Sequence, residues 1–250
     1  MSKAPLIEIS KLVKTYEKST VKAVNSLDLN IHESEIFGLL GPNGAGKTTT
    51  ISILSGLLEP TSGTISVDGN KLNGSNNALK KIIGVVPQDI ALYEKLTAKE
   101  NLVFFGNMYG LKGKALQEKI EILLDKFSLS EKTNKLVYTF SGGMKRRLNL
   151  IAGILHSPRI LFLDEPTVGI DVQSKNVIIE YLKELNSKGT TMIYTSHMMD
   201  EAENFCSRIA IIDKGNIIIK GSPAELINSH KDTNNLEEIF LKLTGRSVRE

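Results

Sequence analysis

The chain has 250 residues, 41% apolar and 24% charged, ordinary proportions for a globular protein and enough length for one sizeable core with a smaller appended lobe. Its 31 basic and 28 acidic residues nearly cancel, so the net charge of +3 gives no reason to expect a nucleic-acid partner. A lone cysteine, Cys206, excludes an internal disulfide and a cysteine-built zinc cluster, and no signal-peptide stretch or run of ~20 apolar residues is present, which predicts a cytosolic protein unless a partner holds it to a membrane.

In chain order, the alternation Leu27-Asp28-Leu29-Asn30-Ile31 predicts a half-buried strand within a β-rich opening. Glu35–Leu40 is a short apolar run that feeds a glycine-rich loop, and Thr48–Leu58 has helical character. Gly63–Gly69 alternates between two glycines and predicts a further strand of an antiparallel lobe. Thr97-Ala98-Lys99-Glu100 is a capping-box pattern, and Leu116, Ile120, Leu123, Leu124 and Phe127 recur at helical spacing, so a helical lobe is expected over about residues 95–155. Ile160–Asp164 is a continuous apolar run ending in acid, as in a parallel strand buried on both faces. Val177–Leu185 predicts a helix, Met192–Thr195 a strand, and Arg208–Lys220 a hairpin turning at Lys214-Gly215-Asn216.

Gly41-Pro42-Asn43-Gly44-Ala45-Gly46-Lys47-Thr48 matches the phosphate-loop pattern in its required setting of strand, loop and helix. Glycines let backbone N–H groups converge on phosphate oxygens, the helix N-terminus adds partial positive charge, Lys47 reaches the terminal phosphates, and Thr48 can ligate magnesium. A second acid on the magnesium side belongs at the end of a buried strand, where Asp164 stands; Glu165, next to it, is placed to orient or deprotonate the attacking water. Ser141-Gly142-Gly143 sits at a helix start and can hold an anion, whereas Lys145-Arg146-Arg147, read alone, is a solvated helix face. Magnesium ATP is therefore the expected substrate complex, and hydrolysis the expected reaction.

The order of these elements resembles the nucleotide-binding subunit of the ABC (ATP-binding cassette) family across nearly the whole chain. In that resemblance Tyr16 stands where an aromatic stacks on adenine, and Gly41, Pro42, Asn43, Gly44, Ala45, Gly46, Lys47, Thr48 and Thr49 form the Walker A loop. Gln88 is the Q-loop glutamine, near the γ-phosphate and magnesium with Thr48 and Asp164. Ser141, Gly142 and Gly143 belong to the signature, offered in trans to a second cassette; Ile160–Asp164 resembles Walker B, Glu165 the catalytic base, Gly169-Ile170-Asp171 the D-loop and His197 the switch histidine. Met144 departs from the usual glutamine of the signature without removing a phosphate-contacting group.

The resemblance implies an α/β fold: a P-loop NTPase core with a mainly parallel central sheet, an N-terminal antiparallel β lobe and the inserted helical lobe. It implies a single nucleotide-binding domain over 1–250 with a C-terminal extension from about residue 225. It also implies a second ABC subunit, a homodimer being expected, and a separate integral membrane permease that keeps this chain on the inner face of the membrane. Gly142–Leu148, Thr167–Asp171 and Leu236–Leu241 resemble the branch that exports drugs, antibiotics, sodium or polysaccharide. A soluble ABC ATPase in iron–sulfur assembly or another non-transport role is the alternative; a GTPase is disfavoured because no Asn-Lys-x-Asp motif occurs. Tyr93, Phe104 and Tyr109, with Met108, carry more apolar surface than a short helix can bury, which predicts an exposed groove for a permease helix.

Overall fold

The computed structural model describes residues 4–17, 19–72 and 77–245. The chain opens with strands β1 (Ile7–Thr15), β2 (Lys22–Ile31) and β3 (Ile36–Leu40), helix α1 (Lys47–Leu54), and strands β4 (Ser62–Val67) and β5 (Asn70–Lys71). Helix α2 (Asn77–Ile82), strand β6 (Ile83–Val86), and helices α3 (Ala98–Met108), α4 (Gly113–Lys126) and α5 (Gly142–Ile154) follow. The remainder runs β7 (Ile160–Asp164), α6 (Val172–Ser187), β8 (Thr191–Ser196), α7 (Met199–Phe205), β9 (Arg208–Asp213), β10 (Asn216–Gly221), α8 (Pro223–Ser229) and α9 (Leu236–Thr244). Two compact units result: one runs to Leu79 and resumes at Thr191, and the other is Lys80–Thr190.

The first unit holds two layers of strands. Its antiparallel sheet has the order β2-β1-β4-β5. The period-2 pattern sets its register, for Ile7 and Ile9 lie opposite Ile31 and Leu29 on one side and Val67 and Ile65 on the other. All six are buried while Asp28 and Asn30 face water, each buried aliphatic being worth roughly 1.5–3 kcal/mol. The other layer centres on β3, buried at all five residues and parallel to both β8 and β9, with β10 returning antiparallel to β9. The expected hairpin is present, and its two-residue turn needs positive φ at Lys214 (47°) and Gly215 (77°) to match the strand twist.

Helix α1 is shorter than the expected Thr48–Leu58. It stops at Leu54 because Gly56 takes φ 75°, and the N–H groups of Leu57 and Leu58 both turn back to the Ser52 carbonyl, at 2.9 and 3.0 Å. The stretch from residue 225 contains most of α8 and all of α9; residues 246–250 lie outside the described ones.

In the second unit β6 and β7 pair in parallel, and β7 is buried throughout, as a strand covered on both faces requires. Helix α3 begins with the expected capping box, Thr97 Oγ1 accepting the Glu100 N–H at 3.1 Å and Glu100 accepting the Thr97 N–H at 2.8 Å. In α4, Leu116, Ile120, Leu123 and Leu124 form the buried stripe, and Phe127 closes the helix as its buried C-cap. Helix α6 starts five residues earlier than the expected Val177, because Asp171 is its N-cap, accepting the Ser174 N–H at 2.8 Å. No described helix is long and apolar enough to cross a membrane.

Candidate nucleotide and hydrolysis residues

In the first unit the loop between β3 and α1 is shaped by backbone contacts. At Gly46 φ is 105°, and a Cβ would fall 2.2 Å from the Ala23 carbonyl oxygen, so only glycine fits there. The hairpin turn braces the same loop: the Gly215 N–H donates to the Ala45 carbonyl at 2.9 Å, and the Gly215 carbonyl accepts from Asn25 N–H at 2.8 Å. Helix α1 starts with Gly46 as N-cap, without a side-chain cap and without an acidic residue in its first turn. Its first N–H groups and the helix dipole are thereby left in a form suited to an anion. Lys47, 5% exposed, donates to the carbonyls of Gly41 and Pro42 at 2.8 and 3.2 Å, which curls its ammonium back over the loop. Asn43, Gly44 and Thr48 are exposed, Thr49 half-buried, and Ala45 buried.

Two other expected residues of this unit lie beside the loop. The Tyr16 hydroxyl is 3.1 Å from Thr49 Oγ1, which sets this 46% exposed residue next to the loop, with the Lys14 ammonium over its ring at 5.6 Å from the centroid. Leu40 and Ser196 are register partners in β3 and β8, and the Gly41 N–H reaches the Ser196 carbonyl at 3.3 Å. Gly41 and half-buried His197 therefore leave adjacent strands at the same level.

In the second unit Asp164 ends β7 and Glu165 follows it, both 3% exposed. Glu165 has φ 47°, the left-handed region that favours glycine, and the Val168 N–H reaches its carbonyl at 3.3 Å. The Gln88 side-chain amide donates to Glu165 Oε2 at 3.3 Å, so these two expected residues are in contact.

The signature segment forms the first turn of α5. Ser141 is its N-cap, with Oγ accepting the Met144 N–H at 3.3 Å, and Ser141 and Gly142 are exposed. Gly143 is buried, and a Cβ there would lie 2.4 Å from Ser174 Oγ and 2.7 Å from Asp171 Oδ2. Hydrogen bonds from the Ser174 N–H and hydroxyl hold the Asp171 pKa below the usual carboxylate range.

The reading of Lys145-Arg146-Arg147 as a solvated face is corrected. Arg146 is 8% exposed, Arg147 is half-buried and donates to the Phe127 carbonyl at 2.7 Å, and Lys145 pairs with Glu94. Arg146 donates to the Gln88 carbonyl and reaches the Val168 carbonyl at 3.5 Å. A signal existed in the sequence: Gly143, Arg146 and Leu150 lie at i, i+3 and i+7, one face of α5, and all three are buried.

Parallel strands feeding a glycine-shaped loop into an uncapped helix start define a P-loop NTPase. A family profile described as ABC transporter matches residues 24–168. The chain belongs to the ABC transporter family and is an ATP-binding ATPase of it. It is 47% identical over 221 residues to the linearmycin resistance ATP-binding protein LnrL of Bacillus subtilis strain 168, covering 88% of this chain and 70% of that one. It is 41% identical over 223 residues to the daunorubicin/doxorubicin resistance ATP-binding protein DrrA of Streptomyces peucetius, covering 89% and 67%. A solved ATP-binding subunit of an ABC transporter superposes with a TM-score of 0.86 at 28% identity, covering 96% of this chain and 99% of that chain.

Proposed function

We propose that this ATPase works as a pair of cassettes that energise export through a separate integral membrane permease, which holds them at the inner face of the membrane. The observation that carries this reading is the hydrogen bond from the Gln88 amide to Glu165, because Gln88 leads directly into an exposed aromatic surface. Tyr93 and Phe104 are 50% and 40% exposed and meet edge to face at 4.9 Å, with Met108 70% exposed beside them in sequence on α3. A surface of that kind suits a docked helix, so a permease seated there would act on the base through Gln88. The names of the two resistance proteins support an export role.

The roles of the residues follow from their chemistry. The Tyr16 ring takes the adenine, and the N–H groups of Gly41–Thr49 with the Lys47 ammonium take the phosphates. Magnesium would suit the donors present, because it is a hard cation that takes oxygen ligands. The Thr48 hydroxyl, the Asp164 carboxylate and the Gln88 amide oxygen are such donors, and no cluster of three or more His, Cys, Asp or Glu occurs among the described residues. Held there with the nucleotide, the ion would supply positive charge against the phosphates. Glu165 takes the proton of a water whose oxygen attacks the γ-phosphorus; the bond to the β-bridging oxygen breaks, giving ADP and phosphate. His197 faces the γ-phosphate end, while Ser141, Gly142 and Gly143 close on the nucleotide of the second cassette. ATP drives transport by binding the closed pair better than the open one.

The test separates binding from chemistry. Lys47→Ala is expected to lose ATP binding, and Glu165→Gln to keep it while losing at least ~10²-fold of turnover and associating when ATP is present. Equilibrium binding, steady-state hydrolysis and light scattering read these outcomes. Near-normal turnover in Glu165→Gln removes Glu165 as the base; no ATP-dependent association removes the pair.

A further inference from the structure

Two side chains of α5, one helical turn apart, grip the Gln88 segment by its backbone. Arg146 donates from Nη1 to the Gln88 carbonyl. Asn149 donates to the Pro87 carbonyl at 3.4 Å and accepts the Ala91 N–H at 3.1 Å. The second arm of Arg146 extends to the Val168 carbonyl at 3.5 Å, and the N–H of that same Val168 reaches the carbonyl of Glu165. Gln88 and Val168 are thus each joined to Arg146 on one side and to Glu165 on the other.

Placing a guanidinium there is costly. Burial lowers the Arg146 pKa, and the Asp89 and Glu165 carboxylates nearby work against that shift. A chain that needed only packing at this point of α5 would be served by an apolar side chain of similar length. The planar fork is what distinguishes arginine, since it can donate in two directions at once where a lysine ammonium is a point charge.

We propose that Arg146 is a positioning residue for hydrolysis: its two arms hold the backbone at Gln88 and Val168, and so set the orientation of the Glu165 carboxylate toward the attacking water. Arg146 itself touches no reacting atom. The proposal rests on the reading of Glu165 as the base, and it assigns the Lys145-Arg146-Arg147 run a job within its own subunit rather than on a nucleotide phosphate. Asn149 secures the same segment but has no arm toward Val168, so its share is smaller.

The experiment is a double-mutant cycle on ATP hydrolysis by the whole chain, with kcat and the KM for ATP measured for the wild type, Arg146→Lys, Gln88→Ala and the double variant. Arg146→Lys keeps the charge, which protects the fold, but loses the fork. It is expected to lower kcat about tenfold and leave KM within about twofold, as a misoriented base does. In the double variant kcat should lie within about twofold of the weaker single variant, because both changes break one chain of contacts. A merely structural Arg146 would move KM with kcat and give the product of the two single losses, and either result overturns the proposal. Wild-type kcat in Arg146→Lys overturns it as well. Glu165→Gln, measured alongside, separates the two levels: if it retains turnover, the base assignment falls and the proposal with it. If it loses turnover while the cycle is multiplicative, only the role of Arg146 falls.

Discussion

The two units place their functional groups by different means. In the first, the loop around Lys47 is held by backbone: glycines in conformations that a Cβ would block, carbonyls that accept from the Lys47 ammonium, and a hairpin turn bonded through Gly215. In the second, side chains do the holding, with Gln88 on the Glu165 carboxylate, Arg146 on the Gln88 and Val168 backbone carbonyls, and Ser174 on the Asp171 carboxylate. A site built from backbone tolerates almost no substitution at its glycines yet accepts varied side chains between them. A site built from side chains can be retuned one residue at a time.

That contrast breaks first, if it is wrong, at Gly46. Gly46→Ala puts a Cβ at φ 105° and 2.2 Å from a backbone oxygen that has nowhere to go, and is expected to abolish ATP binding and lower the melting midpoint by about 4–8 °C, or ~2 kcal/mol. Calorimetry and equilibrium binding check it. The next effect in size belongs to the exposed aromatics of the second unit. Tyr93→Glu and Phe104→Glu should each reduce capture of the permease from membranes at least ~tenfold while basal hydrolysis stays within about twofold. Undiminished capture by both variants would put the docking surface elsewhere.

A smaller pair of changes sharpens the contrast within one helix start. Gly142 has nothing within 4 Å of an added Cβ, whereas at Gly143 the Ser174 hydroxyl and Asp171 carboxylate stand in the way and must move. Gly143→Ala is expected to lower the melting midpoint by about 2–4 °C, near 1 kcal/mol, and Gly142→Ala to leave it unchanged or slightly raised. Equal losses in the two would mean that the packing of Gly143 has been misjudged.

The smallest effect concerns pH. His156 stacks on Tyr109 with ring centroids 3.6 Å apart and bonds the Ile83 carbonyl at 2.9 Å through Nε2. Burial lowers its pKa, the bond to Ile83 opposes this, and Lys119 adds to the lowering. The folded state therefore binds fewer protons than the unfolded one. Its contribution to stability is complete above the ordinary imidazole value of about 6.5 and is lost as pH falls through the folded value. A fall of about 1–2 °C in the melting midpoint on acidification below pH ~6.5 should be present in the wild type and missing in His156→Gln.

The same contrast decides what could be read in the amino-acid sequence. The phosphate loop was legible because a backbone-built site leaves glycines at fixed spacing, and the Thr97 cap and the turn at Lys214-Gly215 were legible for the same local reason. Strand β6 was not: Ile83-Gly84-Val85-Val86 is too short for a pattern, and Gly84 is there because the Gly153 carbonyl oxygen would sit 2.5 Å from a Cβ, a contact spanning 69 residues of chain. Arg146 was read as solvated because the basic run was weighed by its charge, whereas its spacing from Gly143 and Leu150 puts it on the buried face of α5. Tyr16 and His197, each ambiguous alone, were singled out only by the order of the motifs; the contact of Tyr16 with Thr49 and the pairing of Leu40 with Ser196 are supplied by the fold alone. The division of the chain into units is discontinuous, with the strands after Thr191 rejoining those before Leu79, and no local pattern announces it.

The bond between Gly215 and Ala45 also bears on synthesis. Lys47 leaves the ribosome with its loop already encoded, but the turn that braces that loop lies about 170 residues later, which at elongation rates of roughly 5–20 residues per second is of the order of ten to thirty seconds. For most of that interval β3 lacks both parallel neighbours, β8 and β9, and an apolar strand edge is open to wrong pairing. Nascent chains stalled before Gly215 should therefore show no ATP retention and should depend on chaperones, and competence should arrive late and abruptly, when the hairpin emerges and locks the loop.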